Sequence, residues 1–266
     1  MLTAGLREIG LLKAGVLING VATVATAAVI FHVWEKMKWS NPFWASLVWL
    51  FMWPRMWVVR SIGSPETLFI LWTVLSLYMF EKKKYWTAAV TGSLAVLTKS
   101  PGILLFGAYG LWFIWEIVKK KTWNWRVWPV LLIPLTLVGI FYFFGVRTGD
   151  FWAYFNSGDN IHLQELPFKI FDSSQAWVGD FWLEDVIWIY LIGGIGVLSA
   201  FKKSKVWGWF GLVFYTSILF VSHRDISRYS LPLVPVVLVG FSELWQRREV
   251  RVVFLLLLIP LFFYSV

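Results

Sequence analysis

The chain has 266 residues, of which 59% are hydrophobic and 15% are charged. This composition argues against a soluble domain and indicates a protein surrounded by lipid. The sequence has no cysteine, which excludes disulfide bonds and thiol-based metal or nucleophile sites. The net charge of +9 does not indicate a nucleic-acid partner, because the basic residues form short clusters between apolar runs.

Apolar runs follow one another along the whole chain. We therefore predict an all-α fold, a polytopic bundle of about ten transmembrane helices across a hydrocarbon core about 30 Å thick. The lipid bilayer is its first expected partner, and residues 1–266 are expected to form a single integral membrane domain. The predicted helices lie near 9–34, 42–60, 66–80, 85–99, 101–118, 127–147, 186–201, 206–222, 231–245 and 252–266.

The third and fourth runs form a hairpin that turns at the lysine cluster 82–84. Ser64 is a good N-cap for its first helix, and Pro65 suits the first helical position. Glu66 then stands in the first turn, where an acid complements the positive end of the helix dipole. Because both outer ends of a hairpin lie on one membrane side, Glu66 should come close to Lys99.

The charges of the connections assign the two membrane sides. If the spans alternate, most Lys and Arg residues fall in one set of connections, which includes the clusters at 82–84, 119–121 and 202–205. The positive-inside rule makes this side cytoplasmic. We therefore predict a multi-pass protein of the cell membrane, with Met1 and a longer loop at about 148–185 on the outer side.

The outer face carries an unusual concentration of charge. Lys and Arg near helix ends can snorkel to lipid phosphates for topological reasons alone, whereas ionisable groups at this depth are often functional. We favour a functional role for these residues as a set, because the positive-inside rule predicts few basic residues on the outer face. The charged residues at this boundary are Arg55, Arg60, Glu66, Lys99, His223, Arg224, Asp225 and Arg228.

Motifs of soluble enzymes do not occur in the sequence. It contains no Walker A loop, no GxGxxG after a strand, no HExxH and no GxSxG. His32, His162 and His223 are too scattered to indicate a metal cluster. We therefore expect neither a metal nor a cofactor.

Three segments resemble motifs of the GT-C glycosyltransferases, above all of the bacterial and archaeal relatives of the GPI mannosyltransferases. GSPETLF at 63–69 resembles the S-x-E-S-L-F segment of that family. LTKSPG at 97–102 resembles its L-T-R-P-x-G turn, and RYSLPLVP at 228–235 resembles its late R-Y-x-L-P-x-x-P segment. The order and spacing of the three agree with the family over most of the chain.

The resemblance implies a GT-C-like fold that transfers a sugar, with mannose the first candidate, from a polyprenyl-phosphate sugar to an acceptor on the outer face. The acceptor could be a glycolipid, a glycan or a protein. Cations at this face would stabilise the departing lipid phosphate. The substrate-binding residues so implied are Lys99 and Arg228 for the phosphate, Arg224 or Arg60 as helpers, Glu66 to orient Lys99 or sugar hydroxyls, and Tyr229 to position Arg228.

The chain departs from the family in two places. Lys99 stands where the family has arginine, so the charge is kept but a bidentate fork for phosphate is lost. The family also places a catalytic acid in its first outer loop, and no matching motif occurs here. We therefore leave the catalytic base unassigned and expect that the family's first helix and first outer loop are missing, which predicts weak donor binding and poor turnover.

Two other functions remain open. A non-enzymatic transporter or flippase of lipid-linked sugars would carry ionisable groups in mid-span and broken helices in corresponding halves. The sequence limits mid-span charge to Lys13 and Arg55 and has no corresponding halves. An inactive transferase fragment would keep the phosphate-facing cations without the base.

Overall fold

A computed structural model describes residues 10–121, 123–156, 163–172 and 180–265. Within these ranges the regular elements are helices and no strand occurs, which confirms the predicted all-α class. The predicted outer location of Met1 and the loop positions 157–162 and 173–179 lie outside the described residues. The α-helices are α1 (Leu11–Met37), α2 (Pro42–Phe51), α3 (Pro54–Ser61), α4 (Glu66–Glu81), α5 (Tyr85–Thr98), α6 (Leu104–Lys120), α7 (Leu132–Thr148), α8 (Ala153–Asn156), α9 (Asp180–Ala200), α10 (Lys205–Leu219), α11 (Ile226–Tyr229), α12 (Val234–Gly240) and α13 (Arg248–Ser265).

Several helical segments have the length and composition of membrane spans. In the described part of the chain, Leu12–Met37, Ser100–Lys120 and Trp125–Thr148 are each long and apolar enough to cross a membrane. A fourth span would result if α3 and α4 are taken together, although their axes are bent by 113°. These segments agree with the prediction of a transmembrane protein.

The apolar run at 42–60 is not the single helix that its length predicted. It forms α2 and α3, of 10 and 8 residues, which are separated at Met52 and Trp53. Pro54 explains this break, because proline lacks a backbone N–H and disfavours helical backbone at the residue before it. Trp53 is accordingly extended, with φ −101° and ψ 108°. With a rise of about 1.5 Å per residue, neither helix alone reaches across the bilayer core.

A polar side chain of α1 holds the turn that joins α3 to α4. Asn19 donates through Nδ2 to the carbonyls of Val59, at 3.1 Å, and Ile62. Its Oδ1 accepts a hydrogen bond from the Thr67 hydroxyl at 2.7 Å. Because Asn19 is 2% exposed, these bonds lie away from solvent, where an unpaired group costs about 1–3 kcal/mol. They fix the start of α4 at Glu66.

Helices α4 and α5 pack as the predicted hairpin. After α5 the chain continues in a 3-10 turn, Ser100–Ile103, that lies directly against the helix it has just left. A Cβ atom built on Gly102 would stand 2.5 Å from the amide nitrogen of Val96 and 2.7 Å from the carbonyl carbon of Ala95. Glycine is therefore required for this close approach, which sets the position of Lys99 at the end of α5.

The late charged segment reaches the same end of the bundle. Helix α11 packs against α3, and the 3-10 turn Leu231–Leu233 that follows packs against α4. All three residues of that turn are buried. Arg228, the third residue of α11, is thereby brought to the start of α4.

Candidate functional site

Glu66 lies at the centre of the site, with 0% of its surface exposed. Its Oε1 accepts hydrogen bonds from Lys99 Nζ and from Arg228 Nε, each at 2.7 Å. Its Oε2 accepts from Arg228 Nη2 at 3.2 Å. The arginine therefore binds the carboxylate with two nitrogens, the geometry that favours Arg over Lys at such positions. The structure brings these three predicted residues together from three distant parts of the chain.

Ser64 does not cap α4 as predicted. The helix begins at Glu66, its N-cap residue is Pro65, and no side chain caps it. The Ser64 hydroxyl instead donates to Glu66 Oε2, while Arg228 Nη2 donates to the Ser64 oxygen over 3.4 Å. A buried carboxylate is a stronger acceptor than a neutral group, so the serine satisfies the charged neighbour rather than the helix end.

A second ion pair extends this network toward α3. Arg55 pairs through Nη2 with Asp225 Oδ1, and Asp225 Oδ2 lies 3.9 Å from Arg228 Nη1. The network thus joins three cations, Arg55, Lys99 and Arg228, to two carboxylates, and it carries one positive charge in excess. Sequence reasoning placed Arg55 and Asp225 at this boundary but not in the site, since no local pattern pairs residues so far apart.

The ring of Tyr229 lies beside the Lys99 ammonium. The Nζ atom stands 4.7 Å from the ring centroid, within the range of a cation–π interaction. The His223 ring lies 5.4 Å from the Tyr229 ring in an edge-on arrangement. We expected Tyr229 to position Arg228, whereas the contact described here is with Lys99.

The two helper residues occupy other places. Arg60, near the end of α3, donates to the carbonyls of Trp49, at 3.0 Å, and Leu50. It thus stabilises the C-terminal end of α2, where a cation complements the helix dipole. Arg224 is exposed on the loop just before Asp225.

A cavity of about 390 Å³ opens beside Lys99 and Tyr229. Most of its wall is apolar, and it includes Phe69, Phe141 and Phe214 from three different helices. Two aromatic residues of the predicted outer loop, Tyr154 and Phe155, also line it. A cation at the edge of an apolar cavity suits a ligand with an anionic head and a hydrocarbon tail. Among the described residues, no group of three or more His, Asp or Glu side chains is placed to hold one metal ion.

Comparison with known proteins gives little further guidance. No protein-family model matches the sequence, and no solved structure matches the chain significantly. A protein of Chlamydia pneumoniae that is provisionally named a zinc metalloprotease is 28% identical over 99 residues. That alignment covers 37% of this chain and 15% of the other protein. The chain thus matches a small part of that relative.

Proposed function

We propose that the protein is a membrane glycosyltransferase of the GT-C type. It would transfer a hexose, with mannose the first candidate, from a polyprenyl-phosphate sugar to an acceptor at the outer face of the cell membrane. The observation that carries this proposal is the meeting of Glu66, Lys99 and Arg228 beside an apolar cavity. Each of the three comes from one of the segments that resemble the family.

The donor of such a reaction has an anionic phosphate and a long hydrocarbon chain. The ion-pair network offers it one positive charge in excess. Lys99 has three N–H donors, of which Glu66 accepts one, and Arg228 Nη1 is 3.9 Å from Asp225, beyond hydrogen-bond distance. The remaining N–H groups of Lys99 and the Nη1 group of Arg228 can therefore bind a phosphate while both side chains keep their ion pairs with Glu66. In the transition state they would stabilise the negative charge of the departing polyprenyl phosphate.

Glu66 serves this site as a positioning residue. Both of its oxygens already accept hydrogen bonds, from Lys99, Arg228 and Ser64. A carboxylate in that state is poorly suited to remove a proton from an acceptor hydroxyl. Its contribution is to hold two cations in fixed places before the donor arrives, which is the preorganisation that electrostatic catalysis needs.

The proposed fold is a GT-C-like bundle of about ten spans, with the site facing outward. Helices α4 and α5, of 16 and 14 residues, would extend over about 24 Å and 21 Å at a rise of 1.5 Å per residue. Both are shorter than the hydrocarbon core. The site at their outer ends would therefore lie in a recess below the membrane surface, which a lipid-linked donor can enter sideways.

Transfer from a radiolabelled polyprenyl-phosphate mannose tests this proposal. The purified protein is reconstituted in liposomes with a membrane extract as the source of acceptors. We expect a low yield of labelled product from the wild type, because the family's catalytic acid has no counterpart here, and a further loss of at least about 10-fold in rate for Lys99→Ala and Arg228→Ala, as for other electrostatic donors in active sites. The matched control is Lys203→Ala, whose partner Glu243 is 78% exposed. Absence of transfer from every polyprenyl-phosphate sugar tried would contradict the proposal.

One observation favours a second candidate function, that of a transporter or flippase of lipid-linked sugars. Helices α3 and α4 form a bent pair, and the ion-pair network lies at the break. Discontinuous helices with charged groups at the break are typical of transporter substrate sites. A flippase would move a fluorescent lipid-linked sugar between the leaflets of a liposome while its sugar–phosphate bond stays intact. The transferase would break that bond.

A further inference from the structure

A second cavity, of about 300 Å³, lies next to Arg55 and shares none of its lining residues with the first. The segment 227–233 separates the two. Ser227, Ser230 and Leu231 line the second cavity, whereas Tyr229 lines the first. A ligand in either cavity would therefore stand against the same short segment that carries Arg228.

The second cavity has a polar side as well as an apolar one. Arg55, Asp185, Ser227 and Ser230 all line it. Asp185 is exposed, so its carboxylate is open to a ligand. A polar side next to a hydrocarbon wall indicates a ligand with hydrogen-bonding groups at one end.

The charges around the cavity argue against an anionic ligand. The Arg55 guanidinium is already paired with Asp225. Among the described lining residues, the only other charged one is Asp185, which would repel a phosphate or carboxylate. The Asp185 carboxylate and the hydroxyls of Ser227 and Ser230 can instead bind hydroxyl groups. This wall suits an uncharged ligand with several hydroxyls.

The rest of the lining divides the cavity into an aromatic part and an aliphatic part. Trp188 is 57% exposed and, like Trp53, lines the cavity, where an indole ring can pack on the C–H face of a pyranose. The aliphatic wall is formed by α9, the 3-10 turn Leu231–Leu233 and α12, and comprises Ile189, Ile192, Leu233, Val234 and Val237. A ligand that satisfies both parts has a sugar headgroup and a hydrocarbon chain.

We propose that this second cavity binds an uncharged glycolipid. Its sugar would lie between Trp188 and the polar wall, donate hydroxyl hydrogen bonds to the Asp185 carboxylate, and leave its lipid chain against α9 and α12. That this glycolipid is the acceptor of the reaction rests on the proposed transferase function, whereas its binding does not. In that role its hydroxyl would lie across the segment 227–233 from the donor phosphate.

Equilibrium binding of a tritiated mannosyl diacylglycerol to the intact protein tests the inference. The protein is solubilised in a detergent that contains no sugar and is captured on scintillation beads. We expect saturable binding that weakens at least about 10-fold in Trp188→Ala, the effect of losing an aromatic platform from a sugar site. Asp185→Asn, which keeps the shape of the cavity, should also weaken binding. Trp128→Ala is the control, because Trp128 is 54% exposed and lines a different cavity.

Unlabelled competitors identify the headgroup and the source of the sugar. Mannosyl diacylglycerol should displace the label, whereas methyl mannoside, diacylglycerol and phosphatidic acid at the same concentration should not. Equal displacement by methyl mannoside would overturn the glycolipid assignment in favour of a free sugar, and stronger displacement by phosphatidic acid would overturn it in favour of an anion. Equal binding by Trp188→Ala, Asp185→Asn and the wild type would remove the site. Donor binding that fails while this binding persists would refute the transferase and leave the second cavity standing.

Discussion

One buried carboxylate determines the chemistry of this site. Glu66 is placed at 0% exposure between two cations, and its hydrogen bonds hold both of them in place. The closeness of Glu66 and Lys99 could be predicted, because a hairpin brings its outer ends together. The pairing of Arg55 with Asp225 could not, since it depends on how α3 and α11 pack and no nearby residue signals it.

The error at Ser64 has a physical cause. Capping rules consider a serine and the backbone N–H groups that follow it, and by those rules Ser64 is a good N-cap. In the folded chain a buried carboxylate two residues away competes for the same side chain. The charged acceptor has the larger desolvation cost if it is left unpaired, so the local rule is overridden.

Replacing Glu66 by alanine tests this balance. The change leaves Lys99 and Arg228, with side chains 19% and 29% exposed, facing each other without a counter-ion. Breaking a buried pair in this way costs about 3–5 kcal/mol, so we expect a large fall in the thermal unfolding temperature in detergent. Glu243→Ala removes the partner of Lys203 at a site 78% exposed and should change the unfolding temperature little, because exposed ion pairs contribute little to stability. Equal unfolding temperatures for the two variants would show that the buried network contributes nothing to stability.

The hairpin is the element that sequence reasoning located best, and the break before α3 is the one it missed. Charged turns at both ends of two apolar runs leave few alternatives to a hairpin. The run at 42–60 is apolar apart from Ser46, Arg55 and Arg60. Its hydrophobicity predicted one helix, although Pro54 divides it into α2 and α3. Composition indicates which residues enter the membrane, whereas backbone chemistry at one proline decides whether they form one helix or two.

Gly102 tests how the turn after α5 places Lys99. Gly102→Ala would put a Cβ atom 2.5 Å from the backbone nitrogen of Val96, a contact that backbone atoms cannot relieve by a rotamer change. The turn must therefore move, and Lys99 with it, so we expect both a lower unfolding temperature and weaker donor binding. Gly110→Ala on α6 is the matched control, because nothing lies within 4 Å of a Cβ atom there. It should leave binding unchanged and stabilise the helix slightly. Identical behaviour of the two variants would contradict this role of Gly102.

At the scale of the whole molecule, the sequence predicts a helical membrane protein and its orientation across the membrane. The described helices agree with the prediction of a helical membrane protein. The orientation depends on the distribution of Lys and Arg between the connections, which helix packing alone does not report. The second cavity was beyond sequence reasoning, since its walls come from α3, α9, α11 and α12.

Cysteine accessibility tests the orientation, because the chain has no cysteine of its own. Single cysteines at Lys83, Lys120 and Asp150 all replace exposed residues. In intact cells an impermeant maleimide should label position 150 and spare positions 83 and 120, and permeabilisation should expose all three. Labelling of position 83 or 120 without permeabilisation, with position 150 protected, would reverse the orientation and place the site on the cytoplasmic side.

Donor binding is the most direct test of the central claim, that Lys99 and Arg228 hold a lipid-linked phosphate. The measurement is equilibrium binding of tritiated polyprenyl-phosphate mannose to the purified wild type, to Lys99→Ala and Arg228→Ala, and to the control Lys203→Ala. A hydrogen bond to a charged group is worth about 1.5–3 kcal/mol, so each of the two site variants should bind about 10- to 100-fold more weakly, while the control matches the wild type and uncharged polyprenol fails to compete. Wild-type protein that does not bind the donor, or site variants that bind it as tightly as the control, would contradict the account.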